Sequence, residues 1–236
     1  MLVNRLSKAV TRVADDVKVV LCPPSLDITT VRQELSERSR FVLGAQNAYP
    51  KDEGAFTGEV SFAMLKDLVD FVIVGHSERR HTFHERDGLI AQKVAAAFRH
   101  EITPILCVGE TAADRTGGHE KVVVADQLET GLALMTGEDV KRMAIAYEPV
   151  WAIGTGDSAT PNDAKDMMTH VRRWLTTTYG VEVAQAVPIL YGGSVKPENA
   201  GAYLNLDICR GLLVGGASTN YQSFAAIIAA AESKRK

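Results

Sequence analysis

The chain has 236 residues, 46% of them apolar and 23% charged, with a formal net charge of −3. That suffices for one sizeable core, supplies no basic field for nucleic acid, and includes no apolar run long enough to span a membrane. The three cysteines, Cys22, Cys107 and Cys209, are odd in number and widely spaced, which predicts buried free thiols in a reducing compartment and neither a disulfide framework nor a metal site.

In chain order, Leu2, Leu6, Ala9, Val10 and Val13 recur at helical spacing, so the first segment reads as an amphipathic helix. It has no apolar stretch of the secretory kind, and Asp15 and Asp16 soon after it argue against a transit peptide. Short apolar runs at 17–21, 41–45, 71–75, 103–108, 143–147, 187–191 and 212–214 read as strands,. Helical patterns fit 26–37, 88–100, 120–135, 162–179 and 221–230, with Pro161 and Gly180 punctuating one of them,. Seven strands alternating with helices, and no linker between them, predict a parallel sheet in a single domain spanning 1–236,. The basic C-terminal end, 233–236, reads as a solvated tail.

Four of these runs end in residues that can do chemistry. The segment Tyr147 to Gly156, YEPVWAIGTG, sets a carboxylate, Glu148, at a strand end. A stiff corner, Pro149-Val150-Trp151, and a small glycine-rich run come after it. A base beside an amide-rich loop suits proton transfer on a small anion. Residues 71–75 lead into His76-Ser77-Glu78-Arg79-Arg80, which opens a short helical turn. Residues 187–194 read VPILYGGS and 211–218 read GLLVGGAS. In a parallel α/β protein these strand ends gather on one face. Taken alone, His76 is most simply a satisfied loop histidine, and Glu148 is as readily a strand-end carboxylate in a surface loop as a base; it is their shared context that raises them. Gly154-x-Gly156-x-x-Ala159 loosely fits a dinucleotide fingerprint, but Trp174 stands where the motif asks for an acid,.

The segments Gly75 to Arg80, Tyr147 to Gly156, Tyr191-Gly192-Gly193-Ser194 and Val214-Gly215-Gly216, with GAQNAYPKDEGAFTGE at 44–59, resemble the triosephosphate isomerases. The likeness runs in one order from about Val17 to near the C-terminus. The fold it implies is α/β, a (β/α)8 TIM barrel. The reaction it implies interconverts dihydroxyacetone phosphate and glyceraldehyde 3-phosphate by proton transfer through an enediolate.

Residue by residue, the resemblance implies Glu148 as the base and His76 as the electrophile. It implies Gly154, Ser194, Gly215 and Gly216 as phosphate-binding positions. Loop closure would join Ser194 to the Gly156 amide and Tyr191 to the Ala159 amide, with Asp157 at the far hinge and Glu110 supporting Trp151. Residues 46–59 resemble the family's dimerising loop, whose tip carries Thr57 into the partner's active site. The resemblance further implies a cytoplasmic homodimer acting on a small triose phosphate, with no cofactor, no metal, no nucleic acid and no membrane. The family opens with a strand ending in Asn-x-Lys. No such segment occurs in this sequence, and Asn4 and Lys8 have the wrong spacing and lie in the helix. The expectation is therefore a barrel lacking its first β-strand, in which Glu78 loses its usual Lys partner. The alternative is a non-catalytic phospho-ligand-binding or interaction protein derived from the family.

Overall fold

The structure, a computed structural model, describes residues 2–35, 41–153 and 159–233. Its centre is one parallel sheet of seven strands in sequence order. The strands are β1 (Val19–Leu21), β2 (Phe41–Ala45), β3 (Phe71–Val74), β4 (Thr103–Val108), β5 (Ala144–Tyr147), β6 (Ile189–Tyr191) and β7 (Gly211–Leu212). Each pairs with the next, for example Val72 with Pro104 and Cys107 with Ala146. Helices connect them and cover the outside, as parallel crossovers require. Among the described residues no pairing joins β7 to β1, so the curled sheet stays open there.

The period of two along the strands divides the apolar residues into two sets. Ile73, Ile105, Cys107, Ala144 and Ala146 pack together inside the curl, with Cys22, Phe71, Leu190 and Leu213 against them. Their neighbours of opposite parity, such as Val72, Leu106, Ile145 and Ile189, join the larger core beneath the helices. A sheet with apolar residues on both faces and helices on one must close around its inner set, which is the logic of a barrel. Burial pushes the Cys22 thiol up to about 12 and raises the Cys107 thiol as well; both are free.

All seven expected strands are present, most of them trimmed. The first starts at Val19, not 17, and the last is Gly211–Leu212, not 212–214. The run at 187–191 yields only Ile189–Tyr191, although the Pro188 carbonyl still accepts from the Ile145 N–H. The helix expected at 26–37 is a 3-10 turn, Ser25–Asp27, then Ile28–Glu34; its predicted end lies outside the described residues. The one expected at 120–135 ends at Gly131.

Helix starts are set by local chemistry. Thr111 with Asp114, Thr136 with Asp139 and Thr160 with Asp163 form reciprocal capping boxes, each satisfying two backbone donors that the first turn leaves free. Pro161 supplies the fixed φ of a first helical residue,.

Candidate active site

β3, β4, β5, β6 and β7 all run the same way, so the residues just beyond their C-terminal ends share one rim,. His76 comes after β3, Gly109 and Glu110 after β4, Glu148 after β5, Ser194 after β6, and Gly215 and Gly216 after β7. A cleft of about 2270 Å³ opens on this rim, lined by His76, Glu148, Ser194, Gly215 and Gly216. It continues between β7 and β1, where Leu21 and Leu212 line it.

Glu148 is 2% exposed. Its Oε2 accepts from the Ser77 N–H at 2.9 Å, and its Oε1 lies 3.0 Å from His76 Nε2 and 3.4 Å from Ser77 Oγ. Burial raises the Glu148 pKa, against the lowering influence of His76, Ser77 and Cys107. A desolvated carboxylate is a stronger base than a hydrated one. Both its oxygens are engaged, so a group entering from the cleft must displace one contact to reach the carboxylate.

His76 caps the short helix Ser77–His81, its Nδ1 accepting from the Glu78 N–H at 3.2 Å. An accepting Nδ1 carries a lone pair, which leaves the proton of the neutral ring on Nε2. That Nε2–H points at Glu148 and can equally donate to an oxygen bound between them. Glu78 itself is exposed, 74% by side chain, and 4.0 Å from His76.

The backbone that carries Glu148 is held tightly. The Glu148 N–H donates to the Val108 carbonyl at 2.8 Å, and the Val150 N–H to the Glu110 carbonyl at 3.1 Å. The wholly buried Glu110 accepts from Trp151 Nε1 at 2.8 Å and from Tyr147 Oη at 3.0 Å. Arg115 adds a contact to Glu110 at 3.4 Å, reaches Asp163 at 2.6 Å, and lies over the Trp151 ring at 4.8 Å. Burial raises the Glu110 pKa, while these donors hold it down.

At the end of β7 the requirement is space. A Cβ added at Gly215 or Gly216 would meet nothing within 4 Å, so an anion can approach both backbones. At Gly192 it would lie 3.0 Å from Glu148 Cγ, so the β6 rim has room only for glycine beside the carboxylate.

The remaining expected positions divide. Gly154, Gly156 and Asp157 lie outside the described residues. Tyr191 is buried and stacked on Tyr203 with 3.9 Å between ring centroids, and its hydroxyl has no hydrogen-bond partner among the described residues. The Ala159 carbonyl accepts from the Tyr203 hydroxyl at 2.6 Å. Thr57 is exposed and does not line the cleft. Sequence reasoning assigned no role to Ser77, Gln127 or Arg115. Ser77 stood inside a recognised motif. Gln127 could have been seen only as a lone polar residue on a helix face otherwise carrying Val124 and Leu128.

The sequence model of the triosephosphate isomerase family matches residues 1–231. A triosephosphate isomerase of Roseiflexus sp. (strain RS-1) is 50% identical over 214 residues, 90% of this chain and 84% of that protein. One of Carboxydothermus hydrogenoformans is 51% identical over 213 residues, 90% and 84%. One of Symbiobacterium thermophilum is 49% identical over 220 residues, 93% and 86%.

Proposed function

The chain belongs to the triosephosphate isomerase family, and we propose that its isomerisation of triose phosphates runs on Glu148 as base and His76 as electrophile. The reaction interconverts dihydroxyacetone phosphate and glyceraldehyde 3-phosphate. Glu148 takes a proton from the carbon beside the carbonyl, and the His76 Nε2–H donates to the oxygen on which charge develops. The enediolate collapses when the proton returns to the neighbouring carbon. The observation that carries this reading is the 3.0 Å approach of His76 Nε2 to the buried Glu148 carboxylate on the rim of the cleft. A donor fixed where negative charge grows needs no reorganisation as the reaction proceeds.

The phosphate would sit against Gly215, Gly216 and Ser194, with Gly154 completing the set. The open space at the two β7 glycines supports this. We assign loop closure to Gly156, Ser194, Tyr191 and Ala159. The unpartnered Tyr191 hydroxyl is available for such a bond. The chain acts as one domain and as a homodimer, with Thr57 entering the partner's site. No described helix is long and apolar enough to cross a membrane; the cytoplasmic place rests on the family resemblance. A non-catalytic phospho-ligand binder is not favoured by the relatives, which are named as isomerases.

The test runs the isomerisation in deuterium oxide and reads the product by NMR. Proton transfer through Glu148 exchanges with solvent, so deuterium should appear on the carbon that receives the proton. The same protein with His76→Gln should turn over far more slowly. Full turnover in that variant would remove His76 from the chemistry.

A further inference from the structure

Glu148 rides on residues 108–110, and the tightest contact is at Gly109. A Cβ built there would fall 1.7 Å from the Glu148 carbonyl oxygen. The two backbones are pressed together, with the Glu148 N–H on Val108 on one side and the Val150 N–H on Glu110 on the other. Contact and hydrogen bonds thus join the Gly109 backbone to that of Glu148.

A side chain outside the cleft fixes Gly109. Gln127, 7% exposed on the helix Glu120–Gly131, accepts from the Gly109 N–H at 2.8 Å and donates to the Gly109 carbonyl at 3.1 Å. One amide satisfies both peptide groups, as a neighbouring strand would. We propose that Gln127 is a positioning residue for the isomerase reaction: by clamping both peptide groups of Gly109 it sets where the Glu148 carboxylate stands. This rests on the reading of Glu148 as the base.

The physical consequence is direct. Removing the amide leaves a buried donor and acceptor unpaired, and the backbone shifts to find partners. That shift is handed to Glu148 by contact. A displacement of about 1 Å at a reacting group costs roughly 10²-fold in rate.

Two variants test it, measured well below their melting temperatures. Gln127→Met keeps the shape and loses both bonds. Gln127→Glu keeps the acceptor for the Gly109 N–H and loses the donor to the carbonyl. Gln127→Met should lower kcat by roughly 10- to 100-fold with KM little changed, because Ser194, Gly215 and Gly216 are untouched. Gln127→Glu should fall between, and it carries the test if Gln127→Met does not fold. A second readout needs no turnover: the Glu148 carboxyl signal in carbon-13 NMR, identified by its loss in Glu148→Gln. In Gln127→Met its titration should move down toward the ordinary carboxylate range as Glu148 gains water; in Gln127→Glu the added like charge opposes that shift, so that variant is read by kcat. A variant with a lower melting temperature but unchanged kcat and an unmoved Glu148 titration would reduce Gln127 to a structural role and overturn the proposal. Lack of turnover in the unmodified protein, with the titration still responding to Gln127, would instead strike the isomerase reading and leave the clamp standing.

Discussion

The β4–β5 side of the sheet and the β7–β1 side are built on opposite terms. All four residues of β5 are buried, as are five of the six in β4, and four consecutive pairs join the two strands. β7 has two residues, both only partly buried, and among the described residues pairs with β6 alone. The first side carries Glu148, whose surroundings leave it no freedom. The second carries Gly215 and Gly216, where a Cβ would meet nothing within 4 Å. A proton-transferring carboxylate needs a fixed address and low dielectric, and packing supplies both. An anion needs bare backbone and room, and packing would destroy both. The contrast predicts that equivalent substitutions fail in different ways on the two sides.

The largest effect should come from the packed side. Glu148→Gln removes the base and keeps its shape. Turnover should fall by roughly 10²- to 10⁴-fold or more, read as kcat in a coupled assay, while inorganic phosphate still inhibits. Stability should move the other way. Burial raises the Glu148 pKa, so the folded chain holds that proton more tightly than the unfolded chain does. The stability from this group is full below the unfolded pKa and is lost as pH rises through the folded value. At neutral pH the ionised carboxylate is thus a net cost. Glu148→Gln should raise the melting temperature near pH 7 and change it little near about pH 4, where the unfolded carboxyl is itself half protonated. The same shift should lift the acidic limb of kcat above the ordinary carboxylate range. A variant less stable at pH 7 would mean that His76 and Ser77 outweigh desolvation.

Next in size is Gly109→Ala. Its methyl would lie 1.7 Å from the Glu148 carbonyl oxygen, and that neighbour is backbone, so the strand ends must part. Overpacking of this kind costs about 1–3 kcal/mol, read as a lower midpoint in urea. The displaced Glu148 should lose rate as well. Activity unchanged in the folded variant would show that the base tolerates a moved backbone and would dissolve the comparison.

How much of this was legible in the sequence depends on how local each signal is. The strands were, because 71–74 and 103–108 are nearly pure apolar runs. Their ends were not, because pairing stops where a neighbour stops. The helices Ala112–Thr116 and Gly137–Val140 were passed over although Thr111 and Asp114, and Thr136 and Asp139, spell their caps. Helices of four or five residues are too short to show a period. In the site, Glu148, His76, Ser194, Gly215 and Gly216 stood out because each lies close behind its strand. Gln127 and Arg115 did not, because they act across the fold: Gln127 through Gly109, Arg115 through Glu110 and Asp163. Tyr203, whose hydroxyl donates to the Ala159 carbonyl, is likewise a side chain that no local pattern marks.

The smallest effect should come from the open side, and its form matters more than its size. Gly215→Val adds a branched side chain where a Cβ meets nothing within 4 Å. No neighbour has to yield, so stability should change by no more than about 0.5 kcal/mol, as for an ordinary surface substitution. The new methyls do stand between the backbone and any anion on it. If they cost one amide–phosphate hydrogen bond, KM for triose phosphate should rise roughly tenfold, the equivalent of about 1.4 kcal/mol. If both anions use the same amide, inhibition by inorganic phosphate should weaken by the same factor. Glu148 and His76 are untouched, so kcat should hold. The pair Gly109→Ala and Gly215→Val then separates the two sides by kinetics alone, one falling in kcat and stability, the other in KM. Unchanged phosphate inhibition in Gly215→Val would place the anion elsewhere on the rim, and the room beside β7 would need another explanation.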